Sequence, residues 1–268
     1  MMVQLRNVPI YLRDLGHGPQ VLLFLHGWAM SSESWNAIVP YVDLSRYRLL
    51  MPDVRGFARS GTPLNGYHID DYMRDSVRLL RHVQVKKVTL IGHSFGGTGA
   101  LYFASRMPHL VHRVAVFATI PGAASRLVDL QTRQQFSQLL SLVQRTRPTR
   151  LSRLLLRIWR QAFAQPPSLA IRLAQEEAVA HAVPHAIEAT LHTILDTDIT
   201  ARLSHIKAQV LVIRGSEDPM LHERTDPLAT IPHCQRVLIP GSGHYPQIEK
   251  PGLVWQHLSK FLVEQPLT

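Results

Sequence analysis

The stretch Val88 to Ala104, "VTLIGHSFGGTGALYFA", most constrains what this chain can fold into. Apolar and β-branched residues run to Ile91, and a helical pattern begins at Phe95. A buried strand therefore passes into a helix across Gly92, His93 and Ser94 alone. So short a turn forces Ser94 into a strained backbone conformation. Side chains two positions before and after it would collide, and Gly92 and Gly96 stand at those places. The pattern is G-x-S-x-G, a strand–turn–helix elbow that presents a serine hydroxyl at a helix N-terminus.

The same rhythm recurs along the chain. Apolar runs at 20–25, 47–52, 87–92, 112–118, 209–215 and 236–241 read as strands buried on both faces of a parallel sheet. Helical patterns lie around 32–42, 69–84, 95–107 and 252–263. Strand–helix alternation predicts an α/β fold, a mostly parallel sheet with helices on both faces. From 121 to 203 no convincing strand occurs, only helical periodicity broken by Pro148, Pro166, Pro167 and Pro184. This segment reads as a helical cap (121–203) inserted into one core domain (1–120 and 204–268).

A serine hydroxyl is a weak nucleophile and needs a base, which in turn needs a carboxylate to hold its tautomer. In folds with this elbow the chain order is serine, acid, histidine. The strand at 209–215 runs into "SEDPM", which offers Asp218; the next runs into "GSGHYPQIEKP", which offers His244. Both loops open at the edge that carries the elbow, so Ser94, Asp218 and His244 are the expected catalytic set. His222 is the rival base and Glu217 the rival acid. The loop "TIPGAAS" after the strand at 112–118 holds no carboxylate. His93 reads as packing, His26 as a brace for its loop, and His181, His185 and His192 as exposed polar positions on the cap. An acyl-transfer site also needs two amides for the developing oxyanion. Phe95, after the serine, and Trp28 in "LHGW", where Gly27 permits a tight turn, are the candidates.

Among 268 residues the net charge is +10, which points to a polyanionic or acidic partner. Arginine is concentrated in 130–172, with eight (133, 145, 147, 150, 153, 157, 160 and 172) and no Asp or Glu. On a helix beginning at Pro148, Arg150, Arg153, Arg157 and Arg160 fall within an arc of roughly 80°. Leu151, Leu154, Leu155, Ile158 and Trp159 lie across from them. That face reads as a solvated surface, a membrane-surface contact, or a dock for an acidic carrier protein. No nucleic-acid motif accompanies the charge, so no specific nucleic-acid partner is expected. No apolar run reaches the roughly 18 residues of a membrane span, and the start has no secretory h-region. The lone Cys234 allows no internal disulfide, consistent with a reducing cytoplasm. Neither zinc-ligand spacings nor a Walker motif occurs, and no metal or organic cofactor is expected.

Taken together, "LHGW", "PDVRGFARS", "GHSFGG", "GSEDP" and "GSGH" resemble the α/β-hydrolase fold superfamily over nearly the whole chain. The resemblance implies a serine hydrolase with a helical cap inserted after the sixth strand. Asp53 to Ser60 is similar to that family's D-x-R-G-x-G-x-S turn, with Ala58 in place of the second glycine. Within the superfamily, "LHGWAMSSESW" and the length look most like the pimeloyl-[acyl-carrier protein] methyl ester esterases of bacterial biotin biosynthesis, whose pattern has tryptophan where this chain has His93. This likeness implies cleavage of a methyl ester from a carrier-bound acyl chain. A general carboxylesterase, lactonase, thioesterase or perhydrolase, or a binding protein without turnover, stand as alternatives.

Overall fold

The computed structural model describes residues 1–126, 128, 130–220 and 228–263. Eight strands form one sheet: β1 (Met2–Leu5), β2 (Val8–Leu15), β3 (Gln20–Leu25), β4 (Tyr47–Pro52), β5 (Val88–His93), β6 (Val111–Phe117), β7 (Gln209–Gly215) and β8 (Cys234–Ile239), in the order β1-β2-β4-β3-β5-β6-β7-β8. β1 and β2 pair antiparallel, and β2 runs antiparallel to β4. The remaining pairs are parallel. The α/β expectation holds, and the sheet gains an N-terminal hairpin that the apolar runs did not mark.

Side chains alternate across the sheet with period two, so each central strand feeds two cores. Leu23, Leu25, Leu90, Val114, Val116, Val210 and Val212 face one of them. That layer holds α1 (Ile69–His82) and α2 (Phe95–Arg106). Leu22, Phe24, Ile91, Phe117, Leu211 and Ile213 face the other, against Trp35 and the C-terminal helix Pro251–Val263. The helical pattern at 32–42 is instead two 3₁₀ turns, Ser32–Trp35 and Val39–Tyr41. Ser31 caps the first. Pro40 in the second lacks the N–H that an α-ladder would require.

Between β6 and β7 lie α3 (Leu130–Arg145), α4 (Pro148–Gln161), α5 (Leu169–Ala180), α6 (Pro184–Asp196) and α7 (Thr200–Leu203). Pro148 and Pro184 stand in the first turns of α4 and α6, where a missing N–H costs nothing. α3 packs on α6, and α4 on α5. On α4, Leu151, Leu154, Leu155 and Trp159 are buried while Arg150, Arg153, Arg157 and Arg160 are exposed. The chain closes with α8 (Pro246–Glu249) and α9 (Pro251–Val263). Among the described residues no helix is long and apolar enough to cross a membrane.

Candidate active site

The junction of β5 and α2 carries Ser94 at φ 51° and ψ −117°, a left-handed conformation that a non-glycine residue adopts at a cost of about 1–3 kcal/mol. Hydrogen bonds hold it there: the Ser94 amide donates to the Phe117 carbonyl (2.8 Å), and the Ser94 carbonyl accepts from the Thr98 amide (3.1 Å) and from the hydroxyls of Thr98 (3.4 Å) and Thr119 (3.3 Å). The flanking glycines have no alternative. A Cβ on Gly92 would sit 2.5 Å from the Gly96 carbonyl oxygen, and one on Gly96 only 2.2 Å from that of Leu25.

At the ends of β7 and β8, Asp218 and His244 meet. His244 Nδ1 lies 2.9 Å from Asp218 Oδ2 and 3.1 Å from Oδ1, with both side chains buried. Nδ1–H therefore donates to the carboxylate, which leaves Nε2 as the basic nitrogen. The Met220 amide donates to Asp218 Oδ1 (2.9 Å) and orients the carboxylate. Glu217 is exposed and its carboxylate lies toward Gly241, so Asp218 is the acid at the imidazole. His222 lies outside the described residues.

Sequence reasoning missed Glu249. Its carboxylate accepts from the amides of Gly243 (3.0 Å), Tyr245 (3.3 Å) and Ala164 (2.9 Å), fastening the His244 loop to the end of α4. The signal was faint: an acid five residues past His244, at the end of the one-turn helix α8.

Trp28 and Phe95 line the same pocket as Ser94 and His244. Phe95 opens α2, where first-turn amides have no intrahelical acceptor. The Trp28 loop is braced from several sides. His26 Nδ1–H donates to the Gly27 carbonyl (2.8 Å), and Nε2 accepts from the Val54 amide (2.9 Å). Burial holds His26 below its usual pKa, despite the nearby Asp53. From the helices between β6 and β7, Gln175 donates to the Ala29 carbonyl (2.8 Å), and Thr190 Oγ1 accepts from the Trp28 indole (2.9 Å).

The pocket is a cavity of about 60 Å³ walled by Met30, Phe136, Leu139, Ile158, Ile194 and Met220. The arginines of α4 lie outside its lining. Arg160 is paired with Glu176 of α5 at 3.1 Å, an acid just beyond the carboxylate-free stretch. His185, expected to be an exposed polar position, is half-buried and reaches the Pro63 carbonyl at 3.2 Å. Among the described residues no group of His, Cys, Asp or Glu is placed to hold a metal ion.

Buried Asp53 anchors the turn that follows β4. Burial pushes its carboxyl up, but Arg59 (2.7 Å), His26 and the Ser32 amide together hold it below the usual carboxylate value. Ala58 in this turn sits at φ 48°.

The family described as "alpha/beta hydrolase fold" matches residues 20–251. The pimeloyl-[acyl-carrier protein] methyl ester esterase of Nitrosospira multiformis is 27% identical over 248 residues, 86% of this chain and 92% of that protein. The soluble epoxide hydrolase of Corynebacterium sp. is 35% identical over 101 residues, 38% of this chain and only 35% of that relative's length. Among solved structures, a bromoperoxidase from Bacillus anthracis superimposes with a TM-score of 0.86 at 25% identity, covering 98% of this chain and 99% of that one.

Proposed function

This chain belongs to the α/β-hydrolase fold family, and we propose that within it the protein is a serine carboxylesterase working through an acyl-enzyme. The observation that carries the reading is the Asp218–His244 pair at 2.9 Å opening on the pocket that strained Ser94 also lines. Ser94 Oγ attacks the ester carbonyl as His244 Nε2 takes its proton. The amides of Phe95 and Trp28 receive the oxyanion, where one such donor contributes on the order of 10²–10³ in rate. His244 returns the proton to the departing alcohol. It then activates a water that hydrolyses the acyl-enzyme, while Asp218 holds the imidazole's tautomer throughout.

For the substrate we propose a methyl ester at the end of a carrier-bound acyl chain. The lengthwise match to the Nitrosospira esterase supports this, as do the exposed arginines of α4, which suit an acidic carrier. The helices from 121 to 203 are then the cap over the acyl pocket. A second reading has its own support. The pocket's walls are largely apolar and the α4 arginines lie outside them, which suits a small uncharged ester or lactone. Steady-state hydrolysis of a methyl pimeloyl-carrier substrate beside short-chain aryl esters and lactones separates the two. The carrier ester is expected to give the higher kcat/KM. A preference for free short esters by about tenfold or more would transfer the conclusion to the second reading.

A further inference from the structure

His93, the last residue of β5, is 1% exposed and lines the pocket beside Ser94 and His244. Nε2 lies 2.9 Å from the carbonyl oxygen of His244. A carbonyl only accepts, so Nε2 carries the proton and Nδ1 does not. The imidazole meets the His244 ring at 5.1 Å between centroids and 66°, and the Tyr245 ring at 5.2 Å. On its other side it presses on the Trp28 loop: a Cβ on Gly27 would fall 2.6 Å from His93 Nδ1. Nδ1 itself is buried without a hydrogen-bond partner.

We infer that His93 is a positioning residue for the reaction, tying the backbone of the base His244 and the loop of Trp28 to the strand that ends in Ser94. The inference rests on the proposed roles of Ser94, Asp218 and His244. Two features separate it from ordinary packing. Its one hydrogen bond goes to the main chain of His244 rather than to a structural turn. Its other nitrogen is a buried acceptor left unsatisfied, which an apolar side chain of the same shape would not leave. Burial, with His244 and His26 adding to it, keeps the ring neutral and hence fixed in this tautomer.

The test compares wild type with His93→Leu, which keeps bulk and loses the donor, and His93→Gln, which restores an N–H at about the reach of Nε2. With a neutral aryl ester, His93→Leu is expected to lose about 10- to 100-fold in kcat while KM stays within about threefold, since misplacement by about 1 Å costs on that scale. His93→Gln should recover most of kcat. A His93→Leu enzyme within about threefold of wild type in kcat, or a folded His93→Gln enzyme as impaired as it, would overturn the inference. Should His93→Leu not fold, ring ¹⁵N NMR of the wild type decides: at neutral pH the His93 ring should carry its proton on Nε2, hydrogen-bonded to the His244 carbonyl, and a proton on Nδ1 would refute the assignment. Labelling of wild-type Ser94 by a fluorophosphonate tests the catalytic roles separately, so failure of the one is not mistaken for failure of the other.

Discussion

Ser94 holds a backbone conformation that a folding chain would avoid, and Ala58 holds another, yet of the two only Ser94 lines the pocket shared with His244. The difference guides two predictions. At Ala58 (φ 48°) the left-handed backbone costs a residue with a Cβ about 1–2 kcal/mol. Glycine would add about 0.4–1 kcal/mol of chain entropy to the unfolded state. Relief outweighs entropy, so Ala58→Gly should raise the melting temperature and leave kcat unchanged; a lower melting temperature would show that the turn is not strained. At the site, His244→Ala and Asp218→Asn should each lower kcat by on the order of 10³-fold or more, and the double variant little further, because the groups act as a unit. Multiplicative losses from steady-state kinetics would count against that unit. Ser94, Asp218 and His244 were legible because each is announced by its own strand-end motif. Glu249 and the contact of His93 with His244 were not. Their partners lie on other loops, and local spacing carries no information about which loops meet.

Between strands and helices, the clearest consequence concerns the elbow. Gly96→Ala places a methyl group 2.2 Å from the Leu25 carbonyl, a backbone atom that cannot swing aside. The variant should lose activity and thermal stability together, as read by melting temperature and ester hydrolysis; wild-type values for both would show that the β5–α2 junction is loose. On α4, Arg150, Arg153 and Arg157 are exposed, whereas Arg160 already has Glu176 as a counterion. Changing all four to glutamine should lower kcat/KM for a carrier-bound ester by at least about tenfold at low salt and leave a neutral aryl ester within about twofold, since a small uncharged ester feels little of that field. Equal losses on both substrates would mean that α4 had been destabilised, and no loss on either would return the arginines to a solvated face. Elements with continuous apolar runs were legible from the sequence. The hairpin β1–β2 alternates exposed and buried residues in "MVQL" and "VPIYLRDL", but the runs are short and contain Pro9, which argues against a strand when read locally. The pattern at 32–42 has helical spacing, but spacing alone does not distinguish an α-helix from 3₁₀ turns around Pro40.

For the whole molecule, acid should act in two windows. His26 and His93 are held neutral by burial, below the ordinary histidine value of 6.5. The unfolded chain therefore binds more protons as pH falls below 6.5, and stability declines from there. Asp53 is held below 3.8, so its contribution is complete above that pH and is lost as pH falls through its lower folded value. Melting temperature against pH should thus begin to fall near neutrality, well before carboxylates titrate, and less steeply in His93→Leu; a flat profile down to about pH 4 would contradict the buried neutral histidines. The central claim, that this fold places one activated serine at the mouth of an apolar pocket, meets its most direct test in covalent labelling. The protein is treated with a fluorophosphonate, the adduct is located by peptide mass spectrometry, and Ser94→Ala is carried alongside. One adduct per chain, on Ser94, slowed at least about a hundredfold in His244→Ala and absent in Ser94→Ala, is the expected result. An adduct on another residue, or undiminished labelling of Ser94→Ala, would contradict it.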